Sequence, residues 1–422
     1  MSSWRNITVG NLGEVITGYT PPTKNTEYFG DKYPFITPTD ITIDSRTVQT
    51  ERFLSQKGYE YNKNRLLPPN AVCVTCIASI GKICMTTVPS VTNQQINSIV
   101  VNQDKYDPCF IYYLLLTQTD IIQSVANSAT TPIVNKSTFA SINVCVPPLP
   151  TQTQIANFLD RKTGQIDELI RIKDRQIELL QEQRTALINQ AVTKGLDPNV
   201  EMKPSGVEWI GEIPAHWKVL RTKHVGSSNP SKNNTKTACL KDELVVFLPM
   251  ERVHTDGTID QELRRPYSQL KNGYTYFEEG DILIAKVTPC FENGKIIHIK
   301  NLATSIGFGS TEFIVIRPDL QKVFPPFLHY IFYNAPLRSI GKHFMTSAIG
   351  LKRVPTEFVE SFRIPIPTYQ EQTQIANFLD RKTEQIDELI ATEQRKIELL
   401  KEYRQSLISE AVTGKIDVRN EV

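Results

Sequence analysis

Few residue groupings in this sequence could carry out a reaction. Asp107-Pro-Cys-Phe110 approaches the Asp/Asn-Pro-Pro-Tyr/Phe arrangement, in which a side-chain acceptor and a backbone carbonyl hold an exocyclic amine for methyl transfer. One proline is missing, the matching Phe324-Pro-Pro-Phe327 has no acceptor in first position, and no glycine-rich strand-to-helix turn precedes either. Both read better as helix starts, because proline suits the first helical turn. Asp281, Glu292 and Lys295 come nearest to a metal-dependent nuclease, but the other half of the chain offers Val72, Ser79 and Lys82. Without paired carboxylates there is no two-metal site to hold. Cys73-Val-Thr-Cys76 has the spacing of a metal or redox pair, yet no second pair and no nearby histidine completes it. The seven cysteines (Cys73, Cys76, Cys84, Cys109, Cys145, Cys239 and Cys290) lie mostly in apolar strand-like segments and read as reduced, buried thiols. No P-loop, Ser-His-Asp order or His-Glu-x-x-His occurs. The chain is expected to be non-catalytic, with no metal site.

The elements that would position a binding surface are more legible. Residues 153–193 recur at 373–413, an offset of 220, with 29 of 41 positions identical. In the first copy Ile155, Leu159, Ile166, Ile170, Ile177, Leu180, Leu187 and Ala191 recur at intervals of three, four and seven, the spacing of one buried helical stripe. Each copy is expected to be one long helix, about 60 Å at 1.5 Å per residue. A helix of that length, polar on most of its surface, needs a partner for its stripe, and the nearest candidate is its duplicate. Lys173 and Arg184 fall on or beside the stripe, which favours an irregular antiparallel pair over a strict heptad coiled coil. Thr151 with Gln154, and Thr368 with Glu371, have the spacing of capping boxes opening the two helices. Gly195 and Asp197-Pro198 end the first.

The segments between the helices share a plan but not a sequence. Residues 1–150 hold strand-like runs (Phe35-Ile-Thr, Ala71–Thr75, Lys82–Met85, Asn97–Val101) and an amphipathic helix from Pro108 to about Ser124, with Phe110, Tyr113, Leu114 and Ile121 on one face. Residues 217–368 replay that order: Trp217 stands where Trp4 did, Asp281–Ala285 where Ala71–Thr75 did, Gly294-Lys295 where Gly81-Lys82 did. The fold class is therefore α+β: two mixed α/β recognition domains separated by two long antiparallel helices, an internal duplication with pseudo-twofold symmetry. The expected domains are 1–150, a first helix region 151–203, a connector 204–216, 217–368 and a second helix region 369–422. Near-identical helices imply a fixed spacer and a fixed partner; unlike globules imply two different targets.

Composition sets bounds. The chain of 422 residues is 40% hydrophobic and 22% charged, ordinary for a globular protein of several domains. The start of the chain does not resemble a signal peptide, and no apolar run reaches the ~18 residues of a membrane span, so a cytoplasmic location is expected. The net charge of +2 is uneven, with 20 basic against 14 acidic residues in 217–368, a surplus compatible with nucleic acid or with a solvated surface.

With Pro147-Pro-Leu-Pro-Thr-Gln-Thr-Gln-Ile-Ala-Asn-Phe-Leu-Asp160, its echo from Ile364 to Asp380, and the connector Pro204-Ser-Gly-Val-Glu-Trp-Ile-Gly-Glu-Ile-Pro214, the sequence resembles the specificity subunit of prokaryotic type I restriction-modification enzymes along its whole length. The resemblance implies a protein that reads a bipartite asymmetric target in double-stranded DNA, one half-site per domain. It implies helices that set the unread gap and dock two modification subunits. Those partners would carry S-adenosylmethionine and methylate adenine; a motor-nuclease restriction subunit, with ATP and Mg, is a further partner. No cofactor is expected on this chain. The helix positions it would offer to partners are Ile155, Phe158, Leu159, Ile166 and Ile170, with Ile375, Phe378, Leu379, Ile386 and Ile390. Within the globules, Lys82 and Lys295 suit phosphate contact in matched Gly-Lys loops. Gln94 and Gln95 offer amides able to bond adenine, or to brace a turn; their counterpart by alignment is Phe308-Gly309-Ser310. Lys136, Lys352 and Arg353, in the loop before each last strand, suit phosphate or guanine. The competing functions are a self-contained DNA methyltransferase, which binding of S-adenosylmethionine by the isolated chain would support, and a two-headed protein adaptor, which absence of DNA affinity would favour.

Overall fold

The computed structural model describes residues 4–42, 45–127, 132–232, 243–255, 257–348 and 350–418. The chain divides into two compact units, Met1–Asp174 with Gln394–Val422 and Arg175–Glu393. Two continuous helices, Leu149–Lys194 and Tyr369–Val412, each contribute one half to either unit.

The first unit is built on an antiparallel sheet in the order Gly13–Thr17, Ile96–Val101, Val72–Thr75, Ile83–Met85. Its central strand Val72–Thr75 is buried on both faces: Val72 and Val74 face the main core and Cys73 a second cluster with Ile36, Leu67 and Cys84. The main core is closed by the helix Pro108–Leu116, by Ile155 and Leu159 from the start of the first long helix, and by Leu407 and Ala411 from the end of the second. A smaller sheet joins Tyr33–Ile36 to Val91–Thr92 in parallel, Phe35 opposite Val91. The second unit repeats the plan. Its sheet runs Gly226–Ser228, Phe313–Pro318, Ile282–Ala285, Ile296–His298, and Leu244–Leu248 pairs in parallel with Gly307–Gly309. In each unit the first and last strands pair antiparallel, Arg5–Thr8 with Asn143–Val146 and Lys218–Arg221 with Arg363–Ile366.

The repeated helix sequence makes repeated bonds. Gln152 is 1% exposed; its amide donates to the Pro147 carbonyl (2.8 Å) and accepts from the Asp107 amide (2.9 Å). Gln372 does the same with the Pro367 carbonyl (3.1 Å) and the Phe324 amide (2.7 Å). One glutamine thus fastens the last strand, the long helix and the start of the recognition helix. Tyr113 donates to Asp160 (2.7 Å) as Tyr330 does to Asp380 (2.6 Å). Asp167 pairs with Arg404 at 2.9 Å in one unit, and Asp387 with Arg184 at 3.2 Å in the other. Aspartate and arginine lie 17 residues apart in each copy, so partners swapped between copies mean antiparallel helices rather than parallel ones in register. The helix ends are also alike: Gly195 and Gly414 take positive φ (76° and 72°), and Trp217 and Trp4 pack where a side chain on them would project.

Several expectations need correction. The first long helix begins at Leu149, two residues before Thr151, so Thr151 lies inside its first turn and caps nothing; the Thr368–Glu371 box is present, at 3.0 and 3.3 Å. The helix from Pro108 stops at Leu116, and Thr119–Ser124 is a separate helix. The Thr117 hydroxyl donates back to the Leu114 carbonyl at 2.7 Å, competing with helix continuation. As a result Ile121 is 45% exposed and Ile122 is buried in its place. Asp107 caps the first of these helices, accepting from the Cys109 and Phe110 amides (2.9 and 3.1 Å), so its carboxylate is engaged. The connector is structured: Met202–Pro204 pairs with Glu212–Pro214, and Trp209 stacks on Phe362 at 5.2 Å. Cys145 is exposed and Cys109 and Cys290 half-buried, unlike Cys73, Cys76 and Cys84; Cys239 lies outside the described residues.

Candidate nucleic-acid interface

The parallel strand pair and the loops beside it bring the singled-out polar residues together within each unit. In the first, the Asn93 amide donates to the Ile36 carbonyl (3.0 Å), and the Asn93 side chain accepts from the Gln95 amide (3.1 Å). In the second, the Ser310 amide donates to the Leu248 carbonyl (3.0 Å), and its hydroxyl accepts from the Glu312 amide (3.2 Å). The structural counterpart of Asn93-Gln94-Gln95 is therefore Ser310-Thr311-Glu312, two residues beyond the sequence alignment. The signal was a small polar residue bonding two residues ahead, a turn chemistry that Asn and Ser share.

Gln95 and Glu312 occupy one position and are both engaged. The Gln95 side-chain oxygen accepts from the Asn93 amide group at 2.9 Å, and Glu312 binds Arg353 through its guanidinium at 2.7 Å. That hydrogen-bonded guanidinium holds the Glu312 carboxyl below its ordinary range. Gln95 and Arg353 thus brace the turn rather than project from it. Gln94 is exposed, its oxygen accepting from the Thr20 hydroxyl at 2.5 Å, which leaves its amide hydrogens directed outward from the protein's own bonds.

Lys82 and Lys295 are true counterparts, since Thr75 and Ala285 donate to their carbonyls (2.9 and 3.0 Å). Both are half-buried, and both ammonium groups donate to a backbone carbonyl, Pro38 (3.3 Å) and Met250 (2.9 Å). Those carbonyls lie two residues beyond Ile36 and Leu248, so each lysine ties down the same loop. An ammonium has three donors, and two remain for phosphate. Lys136 and Lys352 are exposed but not in matched loops: Lys136 opens the helix Lys136–Ala140 and Lys352 sits in the hairpin of Thr346–Ala348 and Leu351–Arg353. The Val134 and Val354 amides donate to equivalent carbonyls, of Cys76 and Lys286 (2.8 and 2.9 Å), which makes Thr356 the counterpart of Lys136.

Sequence reasoning passed over Arg264 and Arg265, both exposed on the strand Arg264–Pro266 of the second unit, the latter 4.7 Å over the Phe247 ring. Adjacent arginines on an edge strand were the available signal.

The ten helix positions expected to meet partners are mostly core. Ile155, Phe158, Leu159 and Ile166 are at most 6% exposed within the first unit's core, with Ile170 packed against it; Ile375 and Leu379 are in the second unit's core, with Phe378 packed against it. Ile386 is buried and Ile390 half-buried. The globule beside each helix end covers the stripe first, so these side chains are not a docking face. The exposed apolar residues of the helices are Leu169 and Leu399 in the first unit and Leu389 and Leu179 in the second. Each pair is the other's duplicate.

Among the described residues no group of three or more His, Cys, Asp or Glu is placed to hold a metal, and no helix is long and apolar enough to cross a membrane.

Comparison with known proteins gives a consistent picture. The family model described as the type I restriction modification DNA specificity domain matches residues 1–179 and 215–400. The EcoEI specificity subunit of Escherichia coli is 34% identical over 198 residues, 46% of this chain but only 32% of that protein. The chain thus aligns with about a third of that relative's length. The MjaVIII specificity subunit of Methanocaldococcus jannaschii is 24% identical over 432 residues, covering 99% of this chain and 94% of its own. In fold, the chain is similar to a subunit in a structure of type I R-M complex assembly and conformational transition (TM-score 0.70, 14% identity, 98% of both chains). It is also similar to the HsdS subunit of Thermoanaerobacter tengcongensis (TM-score 0.53, 16% identity, 98% and 97% covered).

Proposed function

From its membership of the type I restriction-modification DNA specificity family, we propose that this chain reads a bipartite, asymmetric DNA target, one half-site per unit, and docks two modification subunits. The observation that carries this reading is the unequal divergence of the duplication: helices nearly identical, globules alike in plan and different in exposed polar residues. Catalysis belongs to the partners, which hold S-adenosylmethionine and methylate adenine; ATP and Mg belong to a restriction subunit. This chain supplies the address.

Gln94 is the base-reading candidate of the first unit, because its amide is exposed and a side-chain amide can bond adenine bidentately. Lys136 and Lys352, with the spare donors of Lys82 and Lys295, contact phosphate. Lys136→Ala and Lys352→Ala should each weaken cognate and scrambled duplexes in parallel and lower the slope of log affinity against log salt by about 0.9. Binding of the assembled complex across a salt series measures this, and a loss confined to the cognate duplex would instead make the residue a base reader.

The docking surface is the repeated leucine pair, Leu169 with Leu399 and Leu389 with Leu179. A surface that occurs twice by duplication suits two copies of one partner. Burying two leucines contributes about 3 kcal/mol, roughly a hundredfold in affinity. Changing Leu169 and Leu399 to Asp should leave an assembly with one modification subunit, and changing all four should leave none. Native mass spectrometry of the reconstituted complex decides; two copies retained by the fourfold variant would rule the surface out.

A further inference from the structure

The two units differ at one matched place. In the first, Asp160 accepts from Tyr113 and is paired with Arg46 at 2.5 Å. Arg46 is held by its own backbone, whose carbonyl accepts from the Met85 amide at 2.7 Å. In the second unit Asp380 accepts from Tyr330 at 2.6 Å, and no described cation pairs with it. In place of the arginine there is a cavity of about 520 Å³. Its wall includes His298, His329 and Tyr333, which stand where the first unit has Met85, Tyr112 and Leu116.

The chemistry of the wall is that of an acceptor site. His329 donates from Nε2 to the Ile296 carbonyl (3.1 Å), so the neutral ring presents Nδ1 as an acceptor. His298 Nδ1 is buried with no hydrogen-bond partner. Burial pushes His298 down to about 3 and His329 to about 4, so neither ring is charged near neutrality. Four carboxylates (Asp380, Glu384, Asp387, Glu388) face two cations. Of those, Arg184 is already satisfied by Asp387 and by the Tyr333 hydroxyl at 3.0 Å, and Lys300 is exposed. No set of ligands fits a metal among the described residues.

We propose that this cavity is a receptor for the guanidinium of an arginine supplied by a docked partner polypeptide, which Asp380, His298 and His329 accept as Asp160 accepts Arg46 within the chain. The receptor stands on its geometry; its assignment to a docked subunit rests on the function proposed above. Planar guanidinium suits it better than ammonium, because its fork of donors can reach a carboxylate and a ring nitrogen together. The pseudo-twofold protein is then asymmetric toward two identical partners, with one arginine socket filled internally and one open.

The test titrates N-acetyl-L-arginine methylamide into the full chain labelled at histidine, whose six rings are resolvable by NMR. Saturable shifts of the His298 and His329 rings are expected, lost in Asp380→Asn and absent with the lysine analogue. No shift, or the same shift in Asp380→Asn, overturns the receptor. In a second arm, Asp380→Asn should weaken association of a modification subunit about tenfold; unchanged association overturns the partner as the source and leaves a free guanidinium compound. If the unaltered chain binds no modification subunit, the docking function fails, while the titration still decides the receptor.

Discussion

A seven-residue insertion in one long helix should abolish assembly on DNA, whereas matched insertions in both should restore it with a longer unread gap. Each unit fastens the helices to one another by one arginine-aspartate pair, Asp167–Arg404 and Asp387–Arg184, with the two arginine side chains only about one-fifth exposed (19% and 18%). Residues 168–183 and 388–403 intervene between the paired positions, equally long in each copy. Lengthening one segment alone leaves at least one pair unmade, and an uncompensated, largely buried guanidinium costs about 1–3 kcal/mol or more. It also shifts the apolar stripe against its core. Matched heptads after Asp174 and Gln394 keep both pairs and change the helical phase by only ~20°. They add about 10 Å at 1.5 Å per residue, or about 3 base pairs at 3.4 Å each. The readout is the spacing of modified adenines; an unchanged gap with the matched insertions would mean that the helices do not set it.

Arg317→Ala should unfold the second unit's globule or come close to it. Arg317 meets Asp281 at 2.7 Å and Glu278 at 2.9 Å; Asp281 is 1% exposed and Glu278 7%. Burial pushes the Asp281 carboxyl up even with the guanidinium beside it. Removing the arginine leaves two uncompensated buried carboxylates, a loss of about 3–5 kcal/mol against a total stability of about 5–15 kcal/mol. The pH dependence has a definite sign. A carboxyl whose folded pKa lies above its unfolded value binds more protons when folded, so the variant gains stability as pH falls toward the unfolded pKa and loses it as pH rises through the folded one. Denaturant unfolding followed by the fluorescence of Trp209 and Trp217 should show the loss at neutral pH and partial recovery in mild acid. Replacing all three residues by Met, Asn and Gln should be far better tolerated than Arg317→Ala alone. A neutral-pH stability within about 1 kcal/mol of the unaltered chain would contradict this account.

The long helices were legible because duplication supplies an internal alignment and helical period shows directly in apolar spacing. The starts of the recognition helices were legible too, from proline and, in the first, the Asp107 cap. What was not legible depends on tertiary context. The stripe of Ile155, Leu159, Ile375 and Leu379 was correctly read as buried, but a period does not say what covers it, and the chain's own globules do. Leu169 and Leu399, which remain exposed, lie in the same pattern and carry no separate mark in sequence. The helix break after Leu116 turns on one hydroxyl bonding back at Thr117. The interface was misaligned by two residues because the globules share backbone hydrogen bonds, not side chains: Asn93 and Ser310 are matched by the carbonyls of Ile36 and Leu248. Gln95, Arg353 and the two Gly-Lys lysines had the right chemistry for DNA but are partly engaged by the protein itself.

The measurement that bears most directly on this account is a genome-wide map of methylated adenines in cells whose modification subunits work with this chain. The map should be made for the unaltered chain and for one with residues 1–150 exchanged for another recognition domain. Two short, unlike half-sites separated by a fixed unread gap are expected, with only one half-site and no gap length altered by the exchange. A single contiguous motif, or a change in both half-sites after exchanging one domain, would contradict a protein that reads DNA with two independent units.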